Sequence, residues 1–65
     1  MHIEINGNQE SIKSCTVEAM LDELNTGKEG IAVAVNEAVV PKSMWPTFDL
    51  NENDKIMIIT ATAGG

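Results

Sequence analysis

A chain of 65 residues, 43% of them apolar, is bounded to one small folded domain, and this composition excludes a disordered segment. Four lysines and no arginine stand against ten acids, a net charge of −6, which is the wrong sign for nucleic acid or an anionic membrane surface. The single cysteine, Cys15, rules out an internal disulfide, and Trp45 and Phe48 are the only aromatics, so the core must be aliphatic.

Residues Met1 to Asn6 alternate, with Ile3 and Ile5 on one side and His2, Glu4 and Asn6 on the other, the pattern of a half-buried strand. Asn6-Gly7 predicts a type I′ hairpin, because both central residues of that turn need positive φ. A polar second strand is expected over about Gln9 to Ser14, anchored by Ile12 and suited to a sheet edge. Thr16 reads as a helix N-cap. Val17, Met20, Leu21 and Leu24 then place one apolar stripe on a helix of about nine residues, with Glu18, Asp22 and Glu23 turned to water. Gly27 is expected to supply the left-handed stop.

Ile31-Ala32-Val33-Ala34-Val35 predicts a strand with one bulky and one small face. Asn36-Glu37 turns the chain, Val39-Val40 returns, and Pro41 ends the return by removing a ladder donor. Lys42 to Phe48 is expected to be a helical turn or loop that buries Trp45. Asn51 to Asp54 is a turn cluster; it lacks the glycine and later glutamate of a calcium loop. Lys55 to Thr60 is the last strand. Ile56, Met57, Ile58 and Ile59 put apolar groups on both its faces, which marks a central strand.

The predicted order is therefore strand, strand, helix, strand, strand, strand. A helix-containing crossover lets the first and last strands pair in parallel at the centre. The expected fold class is α+β, a ubiquitin-like β-grasp: a mixed sheet of four to five strands with one main helix across it. Residues 1–60 would form the domain and residues 61–65 a thin tail ending in Gly64-Gly65. Met1-His2-Ile3-Glu4 lacks the basic and apolar regions of an export signal, and no apolar run reaches membrane-spanning length. With a free cysteine, the expected compartment is the cytoplasm.

No residue cluster carries catalysis by itself. There is no phosphate-cradling glycine loop before a helix, and the acids lack metal-ligand spacing. His2 stands without companion ligands, and Cys15, with no histidine near it in sequence, is expected to be a small hydrophobe. If Ile56 and Ile58 face the helix, Met57 and Ile59 lie on the open sheet face. There they serve either as a partner-docking patch or as residues covered by a loop. The acidic surface suits a basic partner protein as well as plain solubility.

Val35-Asn36-Glu37-Ala38-Val39-Val40-Pro41-Lys42-Ser43-Met44-Trp45 resembles the middle of the ThiS family, the sulfur carriers of thiamine biosynthesis. Asn53-Asp54-Lys55-Ile56 is similar to that family's Gly-Asp-x-Ile segment, and Ala63-Gly64-Gly65 to its tail. Lys42 stands where arginine is common, and Asn53 where glycine is. The resemblance implies a carrier, not an enzyme. The Gly65 carboxylate is adenylated by an E1-like partner of the ThiF type, which brings ATP and Mg²⁺; no cofactor is expected on this chain. A sulfur donor such as a cysteine desulfurase then leaves a thiocarboxylate, used by a thiazole synthase of the ThiG type. Gly64, Ala63 and Thr62 would thread the partner's channel, the five tail residues reaching at most about 17 Å. Two other readings stand beside it: a sulfur carrier of the molybdopterin-synthase small-subunit type, and a ubiquitin-like module that binds without covalent chemistry.

Overall fold

The structure, a computed structural model, describes residues 1–60. It contains β1 (His2–Ile5), β2 (Asn8–Ser11), α1 (Val17–Glu23), β3 (Ile31–Val35), β4 (Ala38–Val40), a 3₁₀ turn (Lys42–Met44) and β5 (Lys55–Thr60). The strands form one mixed sheet in the order β2-β1-β5-β3-β4. β1 and β5 pair in parallel at the centre, and the other pairings are antiparallel. This is the expected α+β, ubiquitin-like β-grasp, with β5 central and the polar β2 at an edge.

Both hairpins have the positive φ values a type I′ turn requires: Asn6 at 51° and Gly7 at 85°, Asn36 at 51° and Glu37 at 74°. β2 is shorter than expected and begins one residue earlier, at Asn8, because the two-residue turn hands directly into pairing with Ile5. Ile12, just past the strand, still anchors it: the residue is buried and exchanges main-chain bonds with Met1.

Thr16 caps α1 as predicted. Its hydroxyl accepts from Ala19 N at 3.2 Å, while the amides of Val17 and Glu18 donate to the carbonyls of Phe48 and Trp45. The first-turn donors of a helix have no partner within it. Here the loop after the 3₁₀ turn satisfies two of them, which ties the helix to that loop. The helix is seven residues long, not nine, and Gly27 is not its stop. Asn25 takes the left-handed position at φ 59°, with Asn25 N bonded to Asp22 O and Thr26 N to Leu21 O. That pair of bonds is a Schellman motif, and asparagine tolerates its left-handed residue. Once the motif closes at Asn25, Gly27 no longer needs a left-handed conformation.

α1 buries Val17, Met20 and Leu21 against Ile3, Val33, Val35 and Ile56 of the sheet. Trp45 closes one side of this core, 2% exposed, its indole N–H donating to Val40 O at 2.9 Å. Asp54 is buried at the start of β5, where Asn36 Nδ2 and Asn51 N donate to its two oxygens. Asn53 takes φ 70° beside it, so the turn survives without glycine. Cys15 corrects the sequence reading: it is exposed, not packed as a small hydrophobe. Ile12 and Val17 fill the core on either side of it, and the link between them leaves Cys15 outside.

Candidate functional site

Side chains alternate across a strand, so β5 presents two different surfaces. Ile56 and Ile58 face the helix, the first buried and the second partly so. Met57 and Ile59 emerge on the opposite face, 51% and 55% exposed. No loop among the described residues covers them to the extent the covered reading required.

β3 supplies the floor beside them. Register pairs Ala34 with Met57 and Ala32 with Ile59. The small face of β3 thus lies against the large side chains of β5, and the size difference leaves a groove of about 290 Å³. Val39, 74% exposed and paired with Ala34 on β4, extends the apolar surface toward the sheet edge. Glu4, Glu37 and Lys55 set charged groups around the groove. Glu37 occupies a left-handed turn position that disfavours side chains by about 1–2 kcal/mol, yet it stands at this rim.

Of the residues singled out from sequence, the structure brings Met57 and Ile59 together. Thr62, Ala63, Gly64 and Gly65 lie outside the described residues. Cys15 lies in the helix layer, away from the groove, with its carbonyl accepting from Leu50 N. His2 is exposed and sits 3.2 Å from Glu52, and no cluster of metal-ligating side chains occurs among the described residues. The groove wall that Ala34 makes, and the exposed Val39 beside it, escaped the sequence reading. The small face of Ile31–Val35 was visible there, but its neighbour across the ladder was not.

A mixed sheet gripping one helix, in the order β2-β1-β5-β3-β4, defines a ubiquitin-like β-grasp protein. The ThiS family model matches residues 3–65, and the chain belongs to the ThiS family. The chain is 32% identical to the Escherichia coli sulfur carrier protein ThiS over 50 residues, 77% of this chain and 76% of that protein. It is 38% identical over 66 residues to a thiazole synthase of Paramagnetospirillum magneticum, a match that spans all of this chain but 20% of that protein. The crystal structure of a thiamine biosynthesis protein (ThiS) from Geobacter metallireducens superimposes over the full length of both chains with a TM-score of 0.87. At 19% identity that likeness establishes the fold.

Proposed function

We propose that this chain is a sulfur carrier of thiamine biosynthesis whose Gly65 carboxylate is activated and loaded by partner enzymes. The observation that carries the reading is the exposed pair Met57 and Ile59 on β5, the strand that runs into residues 61–65. A docked partner reads that patch and receives the segment that continues from it.

The chemistry follows from the poor leaving group of a carboxylate. An α-carboxyl has a pKa of about 3.3–3.7, so Gly65 is ionised at neutral pH. Its oxygen attacks the α-phosphorus of ATP, pyrophosphate leaves, and an acyl-adenylate forms. A sulfur donor then attacks the acyl carbon and AMP departs with the electron pair of the broken C–O bond. With a persulfide as donor, a thiol reduces the resulting S–S bond. The product is a C-terminal thiocarboxylate, whose sulfur passes to the thiazole-forming enzyme. ATP, Mg²⁺ and the cationic groups that stabilise phosphoryl charge belong to the E1-like partner of the ThiF type. A cysteine desulfurase fits as the donor and a ThiG-type thiazole synthase as the acceptor.

Glycine at positions 64 and 65 suits this use, because a side chain there meets the wall of a channel narrow enough to shield an adenylate. The net charge of −6 and the groove carboxylates Glu4 and Glu37 favour a partner with a basic rim.

The test is an intact mass after incubation with ATP, Mg²⁺, a ThiF-type enzyme and a sulfide source. One oxygen replaced by sulfur is expected. Gly65→Ala, or one residue added after Gly65, is expected to abolish ATP–pyrophosphate exchange with the circular dichroism unchanged. Normal exchange in either variant removes the mechanism.

A further inference from the structure

Asn6 does more than turn the hairpin. Its main-chain amide donates to Ile56 O at 2.9 Å, the last rung that β1 gives to β5. At φ 51° the backbone then swings away into the turn, and the ladder should stop there. It continues through the side chain instead. Ile58 N donates to Asn6 Oδ1 at 2.8 Å, and Asn6 Nδ2 donates to Ile58 O at 3.2 Å. The amide therefore stands in for one more residue of β1 and meets both polar groups of the Ile58 residue. On its other edge this stretch of β5 pairs with β3, at Met57 with Ala34 and Ile59 with Ala32. Ile58 is thus held from both sides, and it lies between the two exposed residues of the groove.

We infer that Asn6 is a positioning residue: its side-chain amide fixes Ile58 within the sheet. It thereby sets where Met57 and Ile59 stand when a partner docks. The inference rests on the carrier reading above, because a fixed exposed pair matters to a protein that a partner enzyme must recognise. The position asks for two properties at once, a left-handed backbone and a planar donor–acceptor side chain. Glycine supplies the first alone; glutamine supplies the second on a backbone less tolerant of positive φ.

That separation gives the experiment. Asn6→Gly keeps the turn and the bond to Ile56 and removes only the side-chain bridge. Asn6→Asp keeps the acceptor for Ile58 N and loses the donor. Two measurements are made on the full chain under conditions where circular dichroism shows every variant folded. In hydrogen exchange, Asn6→Gly is expected to speed the Ile58 amide about tenfold relative to the core amide of Met20, with Asn6→Asp between glycine and wild type. In ATP–pyrophosphate exchange with the ThiF-type enzyme, kcat/KM for Asn6→Gly is expected to fall about three- to tenfold. A merely structural role leaves that ratio unchanged once both proteins are folded. Unaltered exchange at Ile58 overturns the bridge. Faster exchange at Ile58 with unaltered kcat/KM overturns the positioning role while the carrier reading stands. A wild-type chain that supports no pyrophosphate exchange overturns the carrier reading and the positioning role with it, even where the bridge itself is seen by hydrogen exchange.

Discussion

Ile59→Ala tests the docking face most directly. Fully burying an isoleucine side chain is worth about 1.5–3 kcal/mol. Ile59 is 55% exposed in the free protein, so roughly half of that free energy is still available to a partner that covers it. Truncation should therefore weaken docking by about 0.8–1.6 kcal/mol, a rise in KM for the carrier of about four- to fifteenfold. If the face serves as the dock, its contact is made equally before and after the phosphoryl step, so kcat should not move. The fold should hold, because a change on an exposed strand face costs at most about 1 kcal/mol. The assay is steady-state ATP–pyrophosphate exchange with a ThiF-type enzyme, run against a melting curve. A KM within twofold of wild type, in a protein that melts normally, refutes the open face as the dock.

Trp45→Phe leaves the Val40 carbonyl without its indole donor in the core and removes part of a buried ring. A loss of at least about 2 kcal/mol is expected, visible as a fall in Tm of about 8–16 °C. Asn25→Ala puts a side chain with no local polar compensation into the left-handed cap and should lower stability by about 1 kcal/mol. Asn25→Gly should not. Acid unfolding should show Glu23. Its carboxylate accepts from the Ser14 hydroxyl and from the amides of Lys13 and Ser14, which holds its pKa below the ordinary value. A group lowered on folding stabilises the protein fully above its unfolded pKa, about 4.3. That contribution is lost as pH falls through the lower folded value. Glu23→Gln should flatten this part of the stability–pH curve, and an unchanged acid limb contradicts the assignment.

Most of the scaffold was legible because its signals are local. Asn6-Gly7 sets a two-residue hairpin by φ alone, Thr16 caps a helix through a hydroxyl three residues from its partner, and Pro41 ends β4 for want of a donor. The unbroken Ile56–Ile59 run marked β5 as central; its alternation set Met57 and Ile59 on one face, but with both faces apolar only the structure showed that this face is the open one. Local rules also misled where two residues competed for one task. Gly27 is the better left-handed residue, yet the helix closed earlier at Asn25, because the apolar stripe ends at Leu24. Cys15 has the chemistry of a buried residue, but its neighbours Ile12 and Val17 already occupy the core.

The sequence alone determined the alternation of each strand, the turns between them and the helix start, since each depends on residues within a few positions of one another, and it carried the family resemblance through the combination of three separate segments. The parallel pairing of the first and last strands was also expected; only the tertiary structure decided the register and the rest of the strand order, and with them the groove between Ala34 and Met57. It also brought Asn36 to Asp54 and Asn6 to Ile58, partners 18 and 52 residues apart. A side-chain amide can complete a ladder on any strand with a free rung. Which rung it reaches is fixed when the parallel pairing of β1 and β5 sets their register, and no stretch of neighbouring residues encodes that register.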